Sequence, residues 1–466
     1  VDLTGLRGIQ YASSAKWSLT DYSASGNALI DGSREEGGAA AAPSNSMSDI
    51  MTSGRWNEVP AIREQIIDGI RKLARDQSLG LRAIDLKANY VSVYYENKRY
   101  VRETDAIHRL LRILTTLPPS VEYFYLTSMV EGFPSQEILV SRTAYERSVE
   151  QFAAVDNLLD YVRIAPGGMS IPDDAIKIGE DYPRFDWSIV PLPKTLLFDP
   201  DQPIRFGITL KASASVEFGD GWKIMGAVTS DLIDTVSDPK PGDSVLPHVR
   251  TDFRLYRDQG RTGIESLMLQ KTGKLAPEVF YQVKAGYIED MFGGVGGEVV
   301  WRPQGEDWAI GADLYYLKQR EYDRLFEFRD YDVVTGHVSL YWENVGWRGL
   351  NVNVHVGRYL AGDYGATIEI IRHFDSGIEI GAFATLTDVP FKDFGEGSFD
   401  KGLIIRVPFG WIAPFNTKFE TSTYLNSLIR DGGQRLYDVN PLWESLRDTT
   451  EANIRRTWAV DVTPGL

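Results

Sequence analysis

The 466-residue chain contains no cysteine. That excludes disulfides and thiolate metal sites, and it leaves no cysteine within these residues to carry a lipid. No stretch reaches the ~18–20 consecutive apolar residues of a membrane helix, which rules out a helical membrane protein and is silent about a β-barrel. Basic residues are in deficit, 49 Lys and Arg against 65 Asp and Glu, for a net charge of −16. Nucleic acid, which needs a basic surface, is therefore not a partner. Histidine is scarce: the five are His108, His248, His337, His355 and His373, and no pair has metal-ligand spacing. No G-x-S-x-G elbow is present, and the run Gly293–Gly297 enters a strand pattern rather than a helix, so it reads as a tight β turn and not a nucleotide loop.

What the chain does have is length enough for two or more units, and aromatics at 12%. Residues 1–58 read as an extended, low-complexity segment, with a strand over Asp2–Tyr11. Residues 59–165 alternate helix and strand patterns. Pro60 opens a helix with Ile62, Ile66, Ile67, Ile70 and Leu73 on one stripe. Ile84–Tyr95 reads as one strand, Glu103–Thr116 as a second helix bearing a surface His108, Val121–Val130 and Glu137–Val140 as strands, and Tyr145–Val162 as a third helix. This predicts a small α/β domain. Residues 166–203 are Pro-rich and read as a linker.

From Ile204 to the C-terminus the pattern is β, with roughly twelve to fourteen strands expected. Phe206, Ile208, Leu210, Ala212 and Ala214 alternate with Arg205, Thr209, Lys211 and Ser213; Leu350, Val352, Val354 and Val356 alternate with Asn351, Asn353 and His355. Trp222, Trp301, Trp308, Trp342 and Trp347 sit near strand ends, as interface girdles require. The turns at 303–306, 344–346 and 374–376 are short and the connections at 319–334 and 388–400 long, although 219–221 falls on the wrong side of that alternation. The fold class that follows is mainly β, an antiparallel transmembrane β-barrel over 204–466 preceded by the α/β domain and closed by a helical tail from Asn440-Pro441 to about Arg456. A soluble barrel or sandwich alternates equally well, with its apolar face turned inward.

The most regular stretch is Gly357–Val407, three alternating runs joined by the turn Asp375-Ser376-Gly377 and one glycine-rich loop. Within and after it lie Arg358-Tyr359-Leu360-Ala361-Gly362-Asp363-Tyr364-Gly365, Phe394-Gly395-Glu396-Gly397-Ser398-Phe399-Asp400-Lys401-Gly402 and Arg430-Asp431-Gly432-Gly433-Gln434. Together these resemble the YjbH-like (GfcD-like) family of exopolysaccharide and capsule outer-membrane proteins. The resemblance implies a bacterial outer-membrane location, a periplasmic α/β domain, exopolysaccharide and outer-membrane lipids as partners, and further polysaccharide-export components or a second β-rich chain. The polar strand faces supply the candidate polysaccharide contacts: Arg205, Lys211, Asp313, Asn351, Asn353, His355 and Glu369. No catalytic, cofactor or metal residues are expected, and the chain is expected not to be an enzyme; inward carboxylates such as Asp313, Glu369 and Glu379 serve lumen solvation more readily than glycoside cleavage. Two alternatives stand beside this reading: a soluble β-rich carbohydrate-binding or glycoside-active protein, and one half of a two-chain barrel.

Overall fold

The computed structural model describes residues 51–150, 158–178, 182–197, 204–234, 244–347, 349–394, 399–408, 420–426 and 429–458. The strand expected at Asp2–Tyr11 lies outside them.

Two antiparallel-dominated sheets organise the chain. Among the described residues the smaller has six strands: β1 (Gly80–Leu86), β2 (Tyr90–Glu96), β3 (Tyr123–Val130), β4 (Phe133–Ser141), β5 (Val162–Pro166) and β6 (Ile176–Lys177), in the order β5-β4-β3-β2-β1-β6. Among the described residues, β2 and β3 are the one pair that runs parallel. The crossover between them is helix α2 (Glu103–Leu114), as a parallel pair requires. Helix α1 (Pro60–Asp76) starts on Pro60, whose missing N–H costs nothing in a first turn, and buries Ile66, Ile67, Ile70 and Ala74. From α2, Ile107, Leu110, Leu111 and Leu114 are fully buried against the same sheet. Helix α3 (Arg142–Glu150) follows β4.

Here the structure departs from the sequence reading at several points. The single strand over 84–95 is a hairpin, β1 and β2, turned by Lys87 N–H donating to the Tyr90 carbonyl at 2.9 Å. The turn residues Lys87-Ala88-Asn89 contain neither Gly nor Pro, so the apolar run looks continuous. The third helix does not reach Val162, where β5 begins. Residues 51–58 are not merely extended chain: Met51 and Trp56 are buried in the α/β core. The Pro-rich stretch 166–203 is not all linker either. It contains β6 and the long strand β7 (Arg184–Leu197), which carries Pro191 and Pro193 on the outermost strand of the second sheet, the position where a missing N–H is tolerated.

That second sheet is a meander of thirteen strands in sequence order among the described residues: β7, β8 (Ile204–Gly219), β9 (Trp222–Asp234), β10 (Thr262–Ala276), β11 (Val279–Tyr287), β12 (Phe292–Trp301), β13 (Trp308–Arg320), β14 (Phe328–Trp342), β15 (Leu350–Arg358), β16 (Tyr364–His373), β17 (Glu379–Thr387), β18 (Asp400–Pro408) and β19 (Glu420–Asn426). Four strands lie between the turn at 219–221 and the turn at 302–307, so both fall at the same end. The apparent slip in loop parity lies in residues 222–301, where the sequence pattern does not separate β9 to β12. Gly293–Gly297 is not a turn but the middle of β12. A Cβ on Gly296 would lie 2.2 Å from the Tyr315 ring, and one on Gly294 2.0 Å from the Tyr316 carbonyl oxygen, so the glycines make room for the neighbouring strand.

One end of the sheet, reached by the turns at 219–221, 277–278, 302–307, 343–349 and 374–378, packs on the α/β unit. Lys274 donates to the carbonyls of Pro134 (3.0 Å), Gly167 (2.8 Å) and Gly168 (3.1 Å). Arg302 donates to the Ser135 carbonyl at 3.1 Å and to Gln136 at 3.0 Å. The loop Asn97–Arg102 meets both flanks of the sheet: Lys98 pairs with Asp186 of β7 at 2.8 Å, and a Cβ on Gly377 would meet Val101 at 2.7 Å and Pro408, the last residue of β18, at 2.8 Å. The sheet is thus curved. Its far end is covered by loops, including helix α4 (Phe253–Gln259).

Candidate functional site

The concave face of the large sheet is polar. Thr209, Thr229, Gln270, Gln282, Lys284, His337, Ser339, His355, Thr367, Glu379 and Arg406 are all buried there, while the residues alternating with them are apolar and exposed, among them Leu314 at 63% and Val338 at 60%. The polarity is the inverse of a soluble β sandwich.

The chain's own tail lies in the concavity. Leaving β19 at the loop-covered end, it turns at Arg430–Gln434, where the three motifs of the sequence meet. Asp431, buried, accepts the N–H groups of Arg250 (2.7 Å) and Thr251 (2.9 Å) and the Thr251 hydroxyl (2.7 Å). Asp363 of the Arg358–Gly365 motif accepts the Gly433 N–H at 2.8 Å, and the Leu360 N–H donates to the Gln434 carbonyl at 2.9 Å. Asp400 of the Phe394–Gly402 motif accepts from Gln434 at 2.8 Å. Gly433 has φ +73°, and a Cβ there would stand 2.6 Å from Thr385.

From this turn residues 435–441 cross to the α/β end. Arg435 lies 3.7 Å from Glu369. Asp438 is hydrogen-bonded to Lys284, whose side chain is fully buried and also donates to Glu298 (3.2 Å) and to the Asn440 carbonyl (2.7 Å). Tyr315 donates to Glu298 at 2.9 Å, and Asn440 to Gln270 at 3.0 Å. Helix α5 (Leu442–Leu446) stacks Trp443 on Tyr341 with ring centroids 4.4 Å apart. Glu444 meets Arg406 at 3.2 Å, and Arg447 meets Glu379 at 2.9 Å. Thr450 then caps helix α6 (Glu451–Thr457), accepting from the Asn453 N–H at 3.2 Å, so the tail carries two short helices rather than one. Helix α6 docks in the α/β core through Ile454 and Trp458. His108 is consequently not a surface residue: it is buried, its ring edge-on to Trp458 at 5.1 Å.

Beside the tail runs a cavity of about 810 Å³, reaching from Gln434 at the loop-covered end to Val101 and Arg102 at the α/β end. Of the sequence-predicted residues it brings together five. Asp313 lies 3.5 Å from His337; Asn351 is hydrogen-bonded to His373 at 3.1 Å; Asn353 donates to Glu369 at 3.0 Å; His355 contacts the Ser339 hydroxyl at 2.7 Å; and all five, Glu369 included, line the wall. His355 and His373 occupy adjacent strands but face different carboxylates, Glu369 and Glu379. Lys211 lies elsewhere on the concave face, paired with Glu265 at 2.6 Å. Arg205 occupies the start of β8 opposite Leu196. The sequence reading missed the tail's own contributions, Arg435, Tyr437, Asp438, Trp443 and Glu444, because nothing in a tail's composition tells which surface it will cover.

At the junction with the α/β unit, Glu343 is buried and its carboxyl is pushed up to about 7 by burial, against the opposing pull of Thr450, Arg302, Arg456 and Arg447. Burial likewise pushes Arg302 down to about 10, which leaves it charged at neutral pH. Among the described residues no group of three or more His, Asp or Glu is placed to hold a metal ion.

Known proteins locate this arrangement. An Escherichia coli (strain K12) protein named uncharacterized lipoprotein YjbH is 35% identical over 276 residues, 58% of this chain but 39% of that relative, so the match spans well under half of the relative's length. The family model described as exopolysaccharide biosynthesis protein YbjH matches residues 30–448, the α/β unit, the large sheet and most of the tail alike. The chain therefore belongs to the YjbH exopolysaccharide biosynthesis family.

Proposed function

We propose that the chain is a non-enzymatic β-barrel of the bacterial outer membrane, with the α/β unit in the periplasm and an interior that contacts exopolysaccharide during its secretion or assembly. The single observation that carries this reading is the inverted polarity of the large sheet. Leaving an aliphatic side chain such as Leu314 or Val338 more than half exposed to water forgoes roughly 1 kcal/mol each. Dozens of outward Leu, Ile, Val and aromatic side chains are a heavy burden in water and none in lipid. Strands of nine or more residues over β8–β18 suit a bilayer's thickness. Trp222, Trp301, Trp342 and Trp347 are exposed at the α/β end, and Tyr364, Phe326 and Phe328 at the other, the two girdles a membrane barrel presents. The relative's name, a lipoprotein, agrees with a membrane setting. The catalytic alternative has no comparable support: the inward carboxylates are engaged by Arg, Lys or His partners.

The test is membrane fractionation followed by gel migration with and without boiling. Recovery in the outer-membrane fraction with faster unboiled migration is expected; release without detergent would sink the barrel. A second reading, closure by another β-rich chain, is favoured by one observation: among the described residues β7 and β19 each pair on one side only. Under it, gentle detergent purification brings down a second chain in fixed stoichiometry, together with other polysaccharide-export components.

A further inference from the structure

The cavity beside the tail has a defined electrostatic character. Among the described residues, nine acidic side chains line it against five guanidinium groups. Each of the five is already held by a carboxylate: Arg102 by Asp105 at 3.0 Å, Arg406 by Glu379 at 3.1 Å, Arg435 by Glu369 at 3.7 Å, Arg447 by Glu379 at 2.9 Å and Arg456 by Asp375 at 3.7 Å. Lys284 stands behind the wall and is taken by Glu298 and Asp438. The surplus is therefore negative, inside a narrow space, where low-dielectric walls focus a field rather than dissipate it.

A surplus of acids does not by itself make a site. The second observation is that two imidazoles in the wall have nitrogens with no hydrogen-bond partner among the described residues. These are His337 Nε2 and His355 Nε2, on residues only 5% and 2% exposed. His355 Nε2 lies 3.8 Å from Glu369, beyond hydrogen-bond reach. A buried polar atom left unmatched is costly, and a hydroxyl-bearing ligand in the cavity would satisfy both. The aromatic pair Tyr341 and Trp443, also in the wall, adds an apolar surface of the kind pyranose rings pack on.

From these two features we infer that the cavity is a glycan subsite selective for chains that are neutral or carry amino groups, and that it rejects uronic-acid polymers. The inference rests on the proposed reading of the interior as a polysaccharide-contacting surface and adds the charge class of the ligand. A polyanion would meet this surplus of acidic groups with every guanidinium occupied. A glucosamine unit would place an ammonium beside Asp313 or Glu369 and its hydroxyls against His337 and His355.

The experiment uses the full chain purified in detergent, its fold checked by heat-modifiable migration. Three oligosaccharides of equal length are titrated by calorimetry: glucosamine oligomers (cationic), N-acetylglucosamine oligomers (neutral) and oligogalacturonate (anionic). The expected order of affinity is cationic, neutral, anionic, with about tenfold or more between the extremes at low salt and a narrower gap at high salt. Asp313→Asn lowers the cationic-to-anionic affinity ratio. Oligogalacturonate binding as well as or better than the other two overturns the charge selectivity and leaves the glycan-contacting interior standing. A folded chain that binds none of the three overturns that interior reading and the selectivity with it.

Discussion

Lys284 shows how the interior is held together residue by residue. Its ammonium is fully buried and donates to Glu298, Asp438 and the Asn440 carbonyl, joining β11, β12 and the tail. Removing one member of such a group leaves the others charged in a poorly solvated space, which costs about 3–5 kcal/mol, whereas replacing the pair by apolar groups is far milder. Lys284→Met is therefore expected to lower the unfolding midpoint in detergent sharply, and Lys284→Met with Asp438→Leu to recover part of the loss; a double variant no better than the single one removes the pairing argument. Gly433 is a second point of leverage. At φ +73° any side chain is strained by about 1–3 kcal/mol, and a Cβ there would also meet Thr385 at 2.6 Å. Gly433→Ala is expected to unseat the turn at Arg430–Gln434, read as faster proteolytic cleavage within residues 429–441, whereas Gly305→Ala, in a turn where a Cβ meets nothing within 4 Å, leaves that rate unchanged.

At the scale of elements, what was legible followed from strict alternation. Strands β13 to β18 stand out in the sequence because each puts apolar residues on one face and polar ones on the other, and the five candidate residues gathered by the cavity, Asp313, Asn351, Asn353, His355 and Glu369, come from that region. Legibility failed where a local signal was absent or misleading. The hairpin at Lys87–Asn89 lacks turn residues; β7 carries prolines that read as linker; the glycines of β12 read as a turn although they serve the Tyr315 ring. The tail was the least legible, since its path depends on charges scattered over β11, β16, β17 and β18. Those charges make its role testable. Arg435→Glu with Arg447→Glu sets two like charges against Glu369 and Glu379, and is expected to raise single-channel conductance in planar bilayers. Deleting Asp388–Asp400 acts on the cap instead, where Phe394 packs by Gly432, and is expected to raise conductance less. Equal conductance of the Arg435/Arg447 variant and the parent would show that the tail does not obstruct the interior.

Over the whole molecule, the tail and the α/β unit share one fastening. Helix α6 sits in the α/β core, Arg302 spans Ser135, Gln136 and Thr449, and Glu343 is buried among Arg302, Arg447, Arg456 and Thr450. The Glu343 carboxyl, pushed up to about 7 by burial, lies above its ordinary value of 4.5, so the folded chain binds a proton there that the unfolded chain releases over that interval. The stabilisation from protonation is complete below about pH 4.5 and is lost as pH rises through about 7. Glu343→Gln keeps the size of the side chain and removes the titration. Thermal unfolding followed between pH 5 and pH 8 is therefore expected to show the parent losing on the order of 1–3 kcal/mol more than the Gln variant, with the two converging toward pH 5. Parallel curves across that interval would mean that Glu343 stays ionised in the folded chain, held by its three arginines, and that the junction between the two units is a permanent ion cluster rather than one that loosens with rising pH.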